Sequence, residues 1–372
     1  VKVLLLSAYD ADSHKRWRRG LVSAIPHWQW TQLTLPPRFF SWRIRGNSLS
    51  WGRGEARALM EQPWDLLVVT SMVDLASLRG LVPCLAHVPT AVYFHENQFS
   101  YPRSENAVAS VEPQILNIYS ALCADCILFN SEFNRSSLLD GAAELLNKLP
   151  DQVPDGICDE IQSKSWVLPV PLESSAFSIE RIPSTRPTFI WNHRWEYDKG
   201  PDILLAALRR FGRAQIPFTC HVVGQQFRRQ PAEFAQIRKL LQKLGALGAW
   251  GYQEQLPEYR RLLGQSHGVI STARHDFQGL AVLEAVAAGC QPLVPDNLAY
   301  PEWFGGGGWR YSDDIESCAA NLSAAMLRCA RGVRDCVTAH VPDVQHLSWT
   351  HMAGEYEVRL RNCADGARGV RA

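Results

Sequence analysis

The chain has 372 residues, beyond the ~250–300 at which one hydrophobic core stops growing, so two domains of roughly 150–200 residues each are expected. With 46% hydrophobic and 20% charged residues it can bury a core, which excludes disordered and collagen-like chains. Lys and Arg number 38 against 37 Asp and Glu, a formal charge of +1, so a nucleic-acid partner would have to be met by a local basic patch.

In chain order, Val1–Ser7 reads as a buried parallel strand from its continuous apolar character, and His14–Ile25 as a helix stopped by Pro26. Strands follow at Trp64–Thr70, Thr90–Phe94 and Cys126–Asn130, the last leading into a helix around Phe133–Leu139. This alternation describes a parallel α/β domain over residues 1–170. Pro169, Pro171, Pro183 and Pro187 punctuate the stretch 166–189, and the linker is expected at 171–187.

A second series begins with strand Thr188–Trp191 and helix Asp202–Phe211, then strand Phe218–Gly224 and helix Phe234–Leu244. It continues with strand Ala249–Tyr252, helix Tyr259–Leu263, strand Gly268–Ser271, helix Leu280–Ala288 and strand Gln291–Pro295, giving a domain over 188–347. Residues 348–372 read as a C-terminal helix, Trp349–Leu360, with a frayed tail after Asn362. The fold class expected is α/β, two doubly wound Rossmann-like domains facing across a cleft that holds the site.

The longest apolar runs, such as Val3–Leu6 and Leu66–Val69, are far below the ~18–20 residues a membrane helix needs. With no charged leader before the first strand, a cytoplasmic protein is expected. Ten scattered cysteines fit reduced thiols. Only Cys123 and Cys126 have CxxC spacing, and without a second pair no zinc site is expected.

The most specific stretch is Ser271–Gly289, where a strand ends, a loop carries Asp276 and Gly279, and a helix carries Glu284. Acids eight apart would usually be a solvated face. Here they follow a buried strand, and a loop before a helix N-terminus suits phosphate or sugar oxygens. Were the whole segment helical, the two acids would lie roughly 80° apart and touch different parts of one extended ligand. In Trp191–Gly200, Arg194 and Lys199 share one loop before a helix, and two cations there suit a diphosphate. Their plainer alternative is pairing with Glu196 and Asp198. Gly224 and Tyr252 close later strands where a base and ribose would be received. Past the strand Thr90–Phe94 lie His95, Glu96, Asn97 and Gln98, polar groups at a strand's carboxyl end. Asp10-Ala-Asp12 spells a metal-binding pattern, discounted because the cationic loop already supplies positive charge.

Asp276-Phe-Gln-Gly-Leu-Ala-Val-Leu-Glu284 resembles the E-x7-E signature of family 4 retaining glycosyltransferases of the GT-B fold, with Asp where that family usually has Glu. The blocks Ser13-His14-Lys15, Tyr93–Gln98, Phe129-Asn-Ser131 and His193–Glu196 resemble one branch of it, the tRNA-queuosine alpha-mannosyltransferases, with Ala11-Asp12 where that branch tends to have a Gly-Gly pair. The resemblance runs from Ser7 to about Trp349. It implies GDP-mannose as donor substrate, queuosine in the anticodon loop of tRNA as acceptor, tRNA-Asp among the candidates, and no metal or other cofactor. In the roles it implies, Arg194 and Lys199 hold the diphosphate, Asp276 and the backbone of Phe277, Gln278, Gly279 and Leu280 orient the sugar, and Glu284 anchors the ribose. Asp12, Ser13 and His14 would approach the donor, and His95 and Glu96 would orient sugar and acceptor.

The first 60 residues carry ten basic side chains against three acidic ones, including Lys15, Arg16, Arg43 and Arg45. Trp17, Trp28, Trp30, Phe39, Phe40, Trp42 and Trp51 are interleaved with them. Cations for phosphates and rings for unstacked bases are what single-stranded RNA requires. Lys15, Arg16, Asn97, Gln98, Arg43 and Arg45 are therefore the expected acceptor contacts. Two readings stay open beside this one: anionic lipid headgroups, with transfer to a lipid or glycan, and tryptophans that are simply core. A non-catalytic RNA-binding protein on a degenerate glycosyltransferase fold is the alternative of another class. No G-x-G-x-x-G follows the first strand, which disfavours a dehydrogenase.

Overall fold

The structure, a computed structural model, describes residues 1–100, 110–149, 151–337 and 340–370. It divides into two compact units, one formed by Val1–Pro171 with Trp349–Ala372 and the other by Leu172–Ser348.

In the first unit, strands β1 (Lys2–Ser7), β2 (Gln29–Thr34), β3 (Leu66–Thr70), β4 (Thr90–Phe94), β5 (Cys126–Phe129) and β6 (Ser165–Val167) form one parallel sheet in the order β2-β1-β3-β4-β5-β6. Helices cover both faces, so β3, β4 and β5 are buried at every position and read as apolar runs. The edge strand β2, Gln-Trp-Thr-Gln-Leu-Thr, is largely solvated and polar, and β6 has three residues; neither gives an apolar run. The helix expected from His14 starts at Asp12 and ends at Ala24. Phe40–Gly52 is also helical. Asp74 and Ser131 cap the helices Leu75–Leu81 and Glu132–Lys148 by accepting from the N–H of Ser77 and of Asn134.

The last helix runs unbroken over Trp349–Val370, so the expected frayed tail after Asn362 is helical to Val370. It belongs to the first unit. Trp17 Nε1 donates to the Tyr356 hydroxyl at 3.0 Å, and that hydroxyl donates to Pro169 O at 2.9 Å. The Trp349 indole fills the space beside Gly20 that a Cβ would need.

The second unit has strands β7 (Thr188–Asn192), β8 (Thr219–Val223), β9 (Leu247–Gly251), β10 (Gly268–Ile270) and β11 (Gln291–Leu293), parallel in the order β11-β10-β7-β8-β9. Helices Pro201–Gly212 and Ile315–Arg334 pack together on it with Leu204, Leu208, Phe211, Leu322 and Met326 in the core. In each sheet the order reverses at one place, between β1 and β3 and between β7 and β10. The loops at the carboxyl ends of these strands are where such sheets bind ligands.

Candidate functional site

At the β7/β10 reversal two loops meet because their strands are neighbours. Trp191 Nε1 donates to Thr272 Oγ1 at 3.0 Å, Thr272 Oγ1 donates to Lys199 O at 2.7 Å, and the Arg274 N–H reaches Asp198 O at 2.8 Å. Arg274 also grips Asp202 through two hydrogen bonds of 2.8 and 2.5 Å. Gly200, at φ 62°, sits against the Thr272 carbonyl with no room for a Cβ, so the close approach of the two loops requires glycine there.

This clamp delivers a buried charge cluster. Lys199 is 7% exposed, and its Nζ donates to His275 O at 2.5 Å, with Asp198 Oδ2 at 3.4 Å and Asp276 Oδ2 at 3.7 Å. Asp276 Oδ1 accepts from the Gly279 N–H at 2.9 Å, and Tyr300 OH donates to Oδ2 at 3.3 Å. Burial pushes the Asp276 carboxyl up, but Lys199, His193, the Gly279 N–H and His275 together outweigh it and hold it below its ordinary value. Asp276 is therefore a carboxylate at neutral pH, able only to accept hydrogen bonds. Burial, then Lys199, lowers both His193 and His275 to about 4, so both rings are neutral. Among the described residues, His193 Nε2 is buried with no hydrogen-bond partner. Arg194, on the same loop, is exposed and pairs with Glu196 at 3.1 Å. Burial raises the Glu196 carboxyl, partly offset by Arg194.

In the first unit, His95 follows β4 and stacks on His14, ring centroids 4.0 Å apart, with Trp17 edge-on at 4.9 Å. Burial lowers His14, and burial followed by His14 lowers His95 well below the usual histidine value, so neither ring carries charge at neutral pH. Among the described residues, His14 Nδ1 and His95 Nε2 are buried without a hydrogen-bond partner.

The structure revises several sequence expectations. Asn97 is fully buried: its amide donates to Asn134 O, Asn134 Oδ1 and Ser137 Oγ, and its Oδ1 accepts from the N–H groups of Phe99 and Ser100. In this position it shapes the loop. Arg43 is also buried, because it sits on the inward face of helix Phe40–Gly52. Arg45 remains exposed but pairs with Asp74 at 2.8 Å and Glu112 at 3.0 Å. Trp17, Trp28 and Trp51 are core. Asp276 precedes the helix Leu280–Ala287 and is not on it, so the helical angle to Glu284 does not apply. The Gly279 N–H, expected to face a sugar, is already bonded to Asp276, and the Gln278 carbonyl accepts from Trp303 Nε1 at 3.0 Å.

The remaining expected residues fall as follows. Glu284 is half-buried on the helix Leu280–Ala287; Leu280 is half-buried at its start, and Phe277 is buried edge-on to His275. Gly224 follows β8, where a Cβ would collide with the His193 carbonyl, and Tyr252, past β9, is exposed. Asp12, Ser13, His14, Lys15 and Arg16 form the first turns of the helix Asp12–Ala24, with Asp12 and Arg16 exposed. Glu96 and Gln98 are half-buried past β4. Asp10 of the Asp10-Ala-Asp12 pattern is bound to Arg18 at 2.8 Å. The sequence reading misses Tyr300 and names Asp198 only as a pairing partner of the loop cations, a pairing that Lys199 makes at 3.4 Å. Tyr300 lies 24 residues beyond Asp276 with no local pattern to mark it.

Residues 2–172 match the family described as tRNA-queuosine alpha-mannosyltransferase N-terminal, and residues 174–322 the family of glycosyl transferases group 1. The chain is 34% identical over 311 residues to the tRNA-queuosine alpha-mannosyltransferase of Drosophila melanogaster, covering 81% of each protein. This chain belongs to the tRNA-queuosine alpha-mannosyltransferase family. As a member of it, the protein is a glycosyltransferase. It is also 26% identical over 174 residues, 45% of each chain, to GDP-mannose:cellobiosyl-diphosphopolyprenol alpha-mannosyltransferase of Xanthomonas oryzae pv. oryzae strain PXO99A. The fold is shared with the catalytic domain of starch synthase IV from Arabidopsis thaliana, solved with ADP and acarbose, at a TM-score of 0.65 and 11% identity over 98% of this chain and 99% of that one. The expected α/β fold with two doubly wound parallel sheets is thus found. Among the described residues no helix is long and apolar enough to cross a membrane.

Proposed function

We propose that this enzyme transfers mannose from GDP-mannose to queuosine in the anticodon loop of tRNA, in the cytoplasm, with retention of configuration and without a metal. What carries the reading is the match of residues 2–172 to the N-terminal part of the queuosine-specific family, because a group 1 C-terminal half by itself leaves the acceptor open. The donor is supported by the relative named for GDP-mannose.

On this reading each residue has a task. Arg194, exposed on its loop, grips the departing diphosphate, whose growing charge it and Lys199 offset. Lys199, buried among carboxylates, also holds Asp276 ionised. That carboxylate accepts hydrogen bonds from sugar hydroxyls, and Glu284 accepts from the ribose. His193 and His95, neutral and each with a ring nitrogen that has no partner among the described residues, exchange hydrogen bonds with hydroxyls without adding charge. The acceptor hydroxyl attacks the anomeric carbon on the face the phosphate leaves, and that phosphate takes its proton, so no protein nucleophile is needed.

The test is mass spectrometry of nucleosides from queuosine-containing tRNA incubated with enzyme and GDP-mannose, UDP-glucose or no donor. A hexose on queuosine with GDP-mannose alone supports the reading. No hexose with any donor refutes it. The diphosphopolyprenol acceptor named for the Xanthomonas relative makes lipid-linked glycans the next acceptors to assay.

A further inference from the structure

Of the seven aromatics in the basic N-terminal stretch, Phe39, Phe40 and Trp42 stay at the surface, 71%, 38% and 54% exposed. They occupy the start of helix Phe40–Gly52, which is pinned beside the β1/β3 reversal. Asn47 donates to Met72 O at 3.0 Å and accepts from the Asp74 N–H at 3.1 Å, and Arg45 pairs with Asp74. Phe40 packs edge-on against Tyr9, centroids 6.1 Å apart, so the rings adjoin the loop leading to Ser13 and His14. Trp42 is not a loose side chain: its indole lies over Gly46, where a Cβ would collide with the ring. The Arg38 guanidinium stands 5.6 Å from the centre of the Phe39 ring.

We propose that Phe39, Phe40 and Trp42 form a stacking platform for single-stranded RNA, holding unpaired bases of the tRNA loop that flank the modified nucleoside. This rests on the reading of the acceptor as tRNA. Fixed rings beside a ligand-binding strand end, in a segment with a surplus of seven basic side chains over residues 1–60, meet the two needs of an unstacked strand: π faces for bases and cations for phosphates. A lipid surface fits less well. An interfacial helix presents a continuous apolar face along its length, whereas here the exposed face beyond the rings carries Leu49 together with Ser41, Arg45 and Ser50.

The experiment is photo-cross-linking of the full-length enzyme to a queuosine-bearing anticodon stem-loop carrying 5-iodouracil at one loop position at a time. Trypsin cuts after Arg38 and Arg43, so Phe39–Arg43 is released as one peptide holding all three rings. A cross-link on that peptide, with loop affinity lowered about ten-fold or more in Phe39→Ala/Trp42→Ala, supports the platform. Because stacking releases no counterions, the slope of log Kd against log salt stays at its wild-type value in that variant, while Arg38→Ala lowers it by about one. Gly46→Ala, which keeps the rings but unseats the indole, also weakens binding.

Cross-links elsewhere with unchanged affinity in the double variant overturn the platform. So does wild-type binding to vesicles of phosphatidylcholine and phosphatidylserine, but not to the loop, that the double variant loses. Mannose transfer measured in parallel separates the two readings. Wild-type transfer with an unaffected double variant removes the platform alone, and a wild-type enzyme with no affinity for the loop removes both.

Discussion

Lys199→Met tests whether the charge cluster at the β7/β10 reversal is a mutually dependent unit. Methionine keeps the length and apolar stem but strips the ammonium from between Asp198, at 3.4 Å, and Asp276, at 3.7 Å. At an effective dielectric of 20 each such pair is worth about 4 kcal/mol of Coulomb energy. Removing one partner of a buried pair costs ~3–5 kcal/mol. The Asp276 side chain keeps 19% exposure, and water reaching it favours the lower end, about 3 kcal/mol. Unfolding of the second unit should then fall by ~6–12 °C at pH 7.

The pH dependence gives the sharper test. In the wild type Asp276 is depressed, so its stabilisation is present above the unfolded carboxyl value and lost as pH falls through the folded one. In the variant the main opposing charge is gone and burial dominates, raising the folded value above the unfolded one. The destabilisation is then full above the raised folded value and shrinks as pH falls through it toward the unfolded value. Thermal unfolding by circular dichroism from pH 4 to 8 should show the gap to wild type closing on the acid side. A gap that is the same at pH 4.5 and 7.5, or below about 2 °C at pH 7, would refute the reasoning.

Three other outcomes follow from the described contacts. Arg194→Ala, at an exposed position, should lower kcat of mannosyl transfer by about 10²–10³ with the unfolding temperature unchanged; undiminished turnover would remove Arg194 from the diphosphate. Gly200→Ala, forced to φ 62° with its Cβ on the Thr272 carbonyl, should be destabilising by more than ~1 kcal/mol in urea unfolding and should separate the two loops. Tyr356→Phe leaves the buried Trp17 Nε1 without its acceptor and should cost ~1–3 kcal/mol, read as a shift in urea midpoint at constant m.

What the sequence makes legible follows from where apolar character is continuous. Strands β1, β3, β4 and β5 are buried on both faces, so each reads as an apolar run, and the order of strands and helices follows from them. Edge strand β2 alternates Gln, Thr and Trp against solvent and leaves no such trace. Helix Phe40–Gly52 holds its place through Asn47 and Arg45 bonding to the loop after β3, contacts no local pattern announces. The same holds at the site. Arg194, Lys199, Asp276 and Glu284 are visible because each lies just past an apolar strand or in a patterned helix. That Lys199 touches Asp276 depends on β7 and β10 being neighbours, a pairing between strands with β8 and β9 between them in the chain. Asn97 and Arg43 are buried, which the sequence does not announce: a polar residue beside a site looks the same in sequence whether it faces a ligand or ties down the loop.

The attachment of helix Trp349–Val370 to the first unit bears on synthesis. A ribosome that has released the first 348 residues has supplied every strand of both sheets, yet the acceptor of the Trp17 indole and the ring that fills the space beside Gly20 are still to come. The first unit is thus completed only after the second has been made. A nonsense change ahead of Trp349 would therefore damage the first unit, uncovering Trp17 and Tyr93 while leaving the second unit its full set of strands.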